Sequence, residues 1–187
     1  MLSKLSNWIY RYSKSWVAIG AALLFFLFCL TILPKESAKA EDYSAGIGTP
    51  DTSLYYSQQD LMHMAETYGN EGRQAYVRAR FSFDLAFPFV YTFFLVTCIS
   101  YLLNRTLVGN STWRLLNLVP LVGLKFDLLE NICTAWVIGS YPIQKPALAL
   151  LAAVFTPLKW LFVCSSFVIL AIALVLSLIS NRKKERI

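Results

Sequence analysis

Two carboxylates interrupt an apolar stretch that is long enough to cross a membrane. The run from Asn117 to Val137 contains Asp127 and Glu130, and Asn131 follows directly. An ionisable side chain at the centre of a bilayer costs roughly 2.5–3.5 kcal/mol on insertion scales. In a helix, residues spaced i, i+3 and i+4 share one face. Because lipid does not solvate such a face, the spacing predicts that it looks into a helical bundle.

Two further charged residues fall at a similar depth in neighbouring helices. A helix rises about 1.5 Å per residue, and the hydrocarbon core is about 30 Å thick. Counted from one side of the membrane, Asp84 lies roughly 30 Å up, Glu130 roughly 25 Å and Lys159 roughly 33 Å. The sequence therefore predicts a polar site in the outer half of the membrane. Candidate catalytic residues are Asp84, Asp127 and Glu130, and candidate substrate-binding residues are Asn131, Lys159, Arg73 and Arg80.

This set of residues suits more than one kind of chemistry. Neighbouring carboxylates in a low-dielectric site repel each other, so one keeps its proton near neutral pH and the pair can act as acid and base. Carboxylates with an amide oxygen also suit a hard divalent cation, although the nearby Lys159 argues against a metal site. A third interpretation is structural, with ion pairs and hydrogen bonds that fix the packing of the helices. The residues alone leave these interpretations open.

The composition is that of an integral membrane protein. The 187 residues are 57% hydrophobic and 15% charged, whereas a soluble domain has about 25% charged residues. The net charge of +6 does not indicate nucleic-acid binding, because the basic residues flank apolar runs. The one histidine, His63, excludes a bis-histidine haem within one chain. The sequence has no phosphate-binding loop and no Cys-x-x-Cys pair, so no cofactor is predicted.

Four apolar runs predict an all-α, four-span transmembrane bundle that forms one membrane domain. The first run is longer than the usual apolar region of a signal peptide, so it is interpreted as a retained span, with cleavage near Ala40 as an alternative. The segment 35–70 is predicted to form an extracytoplasmic loop and a short helical cap, in which Ser57 and Asp60 make a capping-box start. The domain covers residues 1–187, and the predicted spans are about 16–33, 81–103, 113–139 and 155–179.

Basic residues at the chain ends and after the second span predict the orientation. Positive charge close to the end of a span favours the cytoplasmic side of a membrane. Both termini are therefore predicted to be cytoplasmic, with segment 35–70 outside. The basic residues concerned are Lys4, Arg11, Lys14, Arg105, Arg114, Arg182, Lys183, Lys184 and Arg186.

A set of motifs around the second predicted span and in the third and fourth spans has the combined spacing of a known family. The matching residues are Gly72-Arg73, Tyr76, Asp84, Phe87-Pro88, Tyr91, Pro120, Asp127, Glu130-Asn131, Thr156 and Lys159-Trp160. With these motifs, about half the chain resembles an uncharacterised family of small four-helix integral membrane proteins of bacteria. The resemblance implies a four-helix fold, a shared polar site and a bacterial plasma membrane, and it implies no particular reaction.

These features favour a site that binds or acts on a lipid or another hydrophobic molecule at the outer leaflet. The expected partner is membrane lipid, and whether the protein is an enzyme stays open. One alternative of a different class is a non-enzymatic subunit that scaffolds a larger membrane complex. Another is a small ion- or proton-coupled carrier, which would need a homo-oligomer because four spans enclose little space.

Overall fold

The computed structural model describes residues 1–107, 109 and 111–184, and over these residues the chain is helical without a β-strand. The predicted all-α class is therefore confirmed. Two short 3-10 helices, Pro50–Thr52 and Thr112–Leu118, interrupt the α-helices. The α-helices are α1 (Leu2–Tyr12), α2 (Ser15–Thr31), α3 (Leu33–Tyr43), α4 (Gln58–Thr67), α5 (Gly69–Arg80), α6 (Phe83–Thr106), α7 (Val119–Gly139) and α8 (Pro146–Lys184).

Three helical stretches of the described chain are long and apolar enough to cross a membrane. They are Ser15–Tyr43, which joins α2 and α3, Gly69–Thr106, which joins α5 and α6, and Pro146–Ser180 within α8. Each is longer than the predicted span at the same place. The first two continue into polar residues that flank the apolar run, and the third begins earlier, in the apolar residues 146–154. This pattern agrees with an integral membrane protein.

The helix α7 differs from these three stretches in composition. It has 21 residues, but Lys125, Asp127 and Glu130 lie along it, and so it is not among the helices that are apolar enough to span a membrane by themselves. The predicted third span also began too early. Residues Thr112–Leu118 form a 3-10 helix, and α7 starts at Val119 with Pro120 in its first turn, where the missing N–H of proline costs no hydrogen bond.

The chain divides into two compact units. We call residues 1–26, 90–123 and 161–187 the terminal unit, and residues 27–89 and 124–160 the central unit. The basic residue Arg186 of the tail lies outside the described residues. In the terminal unit, Ile9 of α1 packs with Val96 and Leu118 in a small apolar core.

The core of the central unit is built on aromatic side chains of the loop before α4, of the junction between α4 and α5, and of α5. Tyr56, Tyr68 and Tyr76 pack in it with apolar residues of α4, α7 and α8. Gly72 lets α5 approach α3, because a Cβ at this position would lie 2.5 Å from the carbonyl oxygen of Tyr43. The capping box predicted at the start of α4 is present, with Ser57 accepting from the Asp60 backbone N–H. These contacts fix the scaffold around the polar site.

Candidate functional site

The polar residues of α7 lie on one buried face of the helix. Asp127 and Asn131 are buried, and Glu130 has no solvent exposure at all. Their i, i+3 and i+4 spacing places them together, as the sequence predicted. Lys125, which is two residues from Asp127, points to the other side and is exposed. The buried polar face that the sequence predicted for α7 therefore exists.

The junction between α5 and α6 contributes an ion pair. Arg80 is in the last turn of α5 and Asp84 is in the first turn of α6. Both positions suit their charges, because a helix C-terminus stabilises a cation and a helix N-terminus an anion. Arg80 Nη2 lies 2.7 Å from Asp84 Oδ2. Arg80 also donates to Asn131 Oδ1 at 3.3 Å, which joins this junction to α7.

A proline in α6 explains a second contact of Asn131. Pro88 lies four residues after Asp84 and has no N–H, so the Asp84 carbonyl loses its usual helical hydrogen bond. Asn131 Nδ2 donates to this carbonyl at 2.8 Å. A buried backbone acceptor therefore regains a partner in a region where water is scarce. Asn131 thus replaces the hydrogen bond that Pro88 removes.

A loop residue that the sequence analysis did not select completes the cluster. Asp51 lies in the short 3-10 helix Pro50–Thr52, where its carboxylate contacts Arg80 and lies 3.6 Å from Lys159 Nζ. Trp160 Nε1 donates to the Ser53 carbonyl at 3.1 Å, and this bond holds the loop near α8. No periodic pattern marks Asp51, since a carboxylate in a polar loop looks like an ordinary surface residue.

Lys159 of α8 links the loop to the buried end of the cluster. Its ammonium lies 2.5 Å from Glu130 Oε2 and 3.9 Å from Asp127 Oδ1. Together the contacts form a row of alternating charges, which we call the ion-pair chain. It consists of Asp84, Arg80, Asp51, Lys159 and Glu130, in that order.

Two hydroxyl groups surround the other oxygen of Glu130. Tyr56 donates to Glu130 Oε1 at 3.0 Å, and Thr156 Oγ1 lies 2.6 Å from the same oxygen. Burial, followed by the negative charge of Glu130, raises the pKa of Tyr56 above its ordinary value. The phenol therefore stays a neutral donor. Tyr56 was not predicted as a site residue, because the sequence alone does not show that the loop folds over α8.

The carboxylates of the ion-pair chain differ in their exposure. The Asp51 and Asp84 side chains keep 22% and 16% of their surface exposed, whereas the Glu130 side chain keeps none. A proton or a small polar group can therefore reach Asp51 and Asp84 more easily than Glu130.

Three carboxylates of the cluster approach each other in a way that resembles a metal site. One oxygen each from Asp51, Asp127 and Glu130 lies within 4.8 Å of the others. The ammonium of Lys159 lies close to all three carboxylates. These oxygens therefore already share a cation, the ammonium of Lys159. The donor set does not fit a divalent ion, because the ammonium occupies the position that the ion would need.

Arg73 has its contacts outside the ion-pair chain. It donates to the Ala65 carbonyl at 2.9 Å, and its guanidinium lies 4.9 Å from the centre of the Tyr141 ring. It lines a groove of about 550 Å³ on the central unit. We call this the arginine groove; its lining includes Arg73, Arg78, Val77, Phe81, Ala135, Trp136 and Gly139. The groove lies one helical turn from the cluster, since Val77 precedes Arg80 by three residues and Ala135 follows Asn131 by four.

No protein-family model, curated protein or solved structure matches the chain. The resemblance to a bacterial membrane protein family, drawn from the motifs, therefore stays a prediction. The structure brings six of the seven predicted site residues together, namely Asp84, Asp127, Glu130, Asn131, Lys159 and Arg80. Their roles in catalysis or binding also stay predictions.

Proposed function

We propose that this chain is a multi-pass membrane protein that binds a lipid or another hydrophobic molecule and uses its buried cluster as an acid–base site. The observation that carries this proposal is the charge of the ion-pair chain. Three carboxylates of the chain, on Asp51, Asp84 and Glu130, share two cations, on Arg80 and Lys159. The Asp127 carboxylate lies 3.9 Å from the same Lys159 ammonium. The ion-pair chain together with Asp127 therefore has two more carboxylates than cations.

An excess charge in a buried row has a physical consequence. Burying an ion without a partner is expensive, so the chain favours either a bound proton or a cationic group of a ligand. A purely structural network gains nothing from this excess, because balanced pairs satisfy the same helices at lower cost. An acid–base site can use such an excess, because the additional carboxylates can take up and release a proton. Asp84, Asp127 and Glu130 are the proposed acid–base groups.

The arginine groove supports a ligand with an anionic head. Arg73 and Arg78 line it together with the exposed rings of Phe81 and Trp136. Basic groups between membrane helices bind phosphate head groups, and aromatic rings suit the boundary between head groups and acyl chains. A phosphate-bearing lipid in this groove would have its head one helical turn from Asn131, which we propose as a positioning residue together with Lys159.

The proposal includes four spans, with α7 as the fourth. Its charged residues are tolerable in a membrane because Asp127 and Glu130 face protein groups, whereas Lys125 is long enough to reach the interface. Basic residues near both termini and at Arg105 and Arg114 favour a cytoplasmic location for these segments. Segment 35–70, with α4, would then cap the site on the outer side of a bacterial plasma membrane.

A scaffold role is the second candidate, and one observation favours it. The alternating charges connect the loop with α5, α6, α7 and α8, which is what a network that fixes helix packing would do. A scaffold would retain no lipid class selectively. Lipid retention therefore separates the two candidates.

The test is native mass spectrometry of the full chain extracted with its lipids. The proposal predicts that wild type retains one class of phosphate-bearing lipid, and that Arg73→Gln/Arg78→Gln lowers its retention at least tenfold, since each basic residue near a head group contributes roughly fivefold. The matched control Lys35→Gln/Lys39→Gln removes two basic residues elsewhere in the central unit and should retain the lipid. Identical lipid profiles in all three proteins would contradict the proposal and favour the scaffold.

Acid–base use of the cluster has its own measurement. Lipid retention by wild type should vary with pH, because the cluster gains or loses a proton when the head group binds. Asp127→Asn should shift this pH profile while leaving retention at the optimum within about twofold, a difference of less than about 0.5 kcal/mol. A pH profile that Asp127→Asn leaves unchanged would contradict the acid–base role and leave a simple binding site.

A further inference from the structure

The first helix presents three chemically different faces. At 100° per residue, Ser6, Ile9 and Tyr10 lie on one face, and these residues are buried. Leu5, Trp8 and Tyr12 form a second face, which is apolar and exposed. The third face is polar and also exposed, and it consists of Ser3, Lys4, Asn7 and Arg11.

Hydrogen bonds fix which face of α1 is turned inward. Ser6 Oγ donates to Asn117 Oδ1 at 2.8 Å, and Tyr10 donates to the Arg114 carbonyl at 2.8 Å. Asn117 in turn donates to Ser100 Oγ at 3.0 Å. The Arg114 guanidinium covers the Tyr10 ring at 3.7 Å from its centre. With this docking in place, α1 cannot rotate its apolar face into the protein.

The exposed apolar face belongs to a larger set of aromatic residues in the terminal unit. Trp8 is 59% exposed, and its ring lies 5.0 Å from that of Tyr12. Trp16, at the start of α2, and Trp113, in the 3-10 helix after α6, are 70% and 66% exposed. Tryptophan and tyrosine are enriched where a membrane meets water. Since α2 belongs to a stretch that can span a membrane, its first residues are expected at that boundary.

The charge of the terminal unit identifies the surface that α1 would meet. Lys4, Arg11 and Lys14 are exposed on or directly after α1. The described part of the terminal unit contains no acidic residue. A helix with an apolar face and a basic face lies in the plane of a membrane and attracts anionic lipids.

We propose that α1 lies in the plane of the membrane interface and binds anionic phospholipid head groups through Lys4, Arg11 and Lys14. Leu5, Trp8 and Tyr12 enter the acyl boundary beside them. The partner is thus the lipid surface itself, enriched in anionic lipid around the terminal unit. This inference is independent of the arginine groove, which belongs to the central unit.

The electrostatic half of the proposal is tested with vesicles that contain phosphatidylglycerol and phosphatidylcholine. The full chain is reconstituted, extracted in native form, and its retained lipids are counted by mass spectrometry. Lys4→Gln/Arg11→Gln/Lys14→Gln should lower the preference for phosphatidylglycerol more than tenfold, at roughly fivefold per basic residue. The control Lys35→Gln/Lys39→Gln/Lys145→Gln removes equal charge from the central unit and should keep the preference. Equal effects of the two triple variants would overturn the proposal.

The apolar half is tested by tryptophan fluorescence with brominated phosphatidylcholine as the quencher. Trp8→Phe should remove a strongly quenched part of the emission if the ring lies at the acyl boundary. If the emission that Trp8→Phe removes is unquenched, the ring is in water and the proposal fails. Concentration-dependent dimers that disappear in Trp8→Phe would also overturn it, because a second copy of the chain would then cover this face.

Discussion

The terminal and central units both bury polar groups in a largely apolar chain, but they use different chemistry. The terminal unit contains nine of the 17 basic residues and one of the 11 acidic residues, Glu185. The central unit contains eight basic and ten acidic residues. In the terminal unit the hydrogen bonds from the buried face of α1 join neutral groups, such as Ser6 with Asn117. In the central unit the buried polar contacts include the ion pairs of Asp51 with Arg80 and with Lys159.

The neutral hydrogen bonds of the terminal unit are explained by helix packing, whereas the buried charges of the central unit are not. Neutral pairs such as Ser6 with Asn117 satisfy buried donors and acceptors without a charge to compensate. The central unit could have used the same solution, yet it places Glu130 without solvent exposure and supplies cations that are too few for its carboxylates. We therefore connect the charged region with chemistry and the neutral region with structure.

The strongest test of this comparison removes a cation from the central unit. Lys159→Met leaves the fully buried Glu130 without its ammonium partner, and we expect the free energy of unfolding to fall by about 3–5 kcal/mol. Asp51→Asn instead removes one of the excess negative charges, so we expect a fall of about 1 kcal/mol or less. Both are measured by denaturant unfolding in detergent micelles.

A variant of the terminal unit provides the neutral reference. Asn117→Leu leaves the Ser6 and Ser100 hydroxyls without their partner, which should cost about 1–3 kcal/mol. If Lys159→Met and Asp51→Asn destabilise the protein equally, the charges of the cluster are balanced and the contrast between the units disappears.

A second test compares glycines of the two units. Gly72→Ala in the central unit would place a Cβ 2.5 Å from the Tyr43 carbonyl oxygen and 3.0 Å from Tyr68 Cβ. Forcing α3 and α5 apart should lower the free energy of unfolding by about 1–3 kcal/mol. Gly20→Ala in the terminal unit meets no atom within 4 Å and should not destabilise the protein. If Gly72→Ala does not change the free energy of unfolding, α3 and α5 can move apart without destabilising the protein.

The sequence predicts the regular part of this site and misses the irregular part. The face of α7 follows from i, i+3 and i+4 spacing, and a constant helical rise brings Asp84 and Lys159 to the level of Glu130. Asp51 and Tyr56 lie in a loop, where no period relates sequence to position, so they were not predicted. The helix α1 was also missed, because its basic residues were interpreted only as the flank of the first span.

Asn131 allows a third, smaller test within the central unit. Asn131→Leu removes the donor to the Asp84 carbonyl, which should cost about 1–3 kcal/mol because a buried acceptor is left unsatisfied. In a Pro88→Ala background, alanine at position 88 has an N–H that can donate to the Asp84 carbonyl. We therefore expect the same substitution to cost about 1 kcal/mol less there, as a double-mutant cycle of unfolding free energies would measure. If the effects of the two substitutions on the free energy of unfolding are additive, Asn131 and Pro88 act independently and this interpretation is wrong.

The smallest expected effect concerns a charge of the central unit that is exposed and independent of the cluster. Hydrogen bonds from the Ser57 backbone and side chain lower the pKa of Asp60 below its ordinary value. Since the folded pKa is depressed, the resulting stabilisation of α4 is present above the unfolded value of about 4 and is lost as the pH falls below it.

Ser57→Ala removes the cap, and we expect it to cost about 1 kcal/mol or less at neutral pH. Amide hydrogen exchange of α4 at pH 7 and pH 3 is the measurement, after correction for the intrinsic exchange rate. Wild type should lose protection in α4 at pH 3, whereas Asp60→Asn should show no such loss. If Asp60→Asn keeps the pH dependence of wild type, a different carboxylate controls α4, and the charged cluster would then be the first place to look for it.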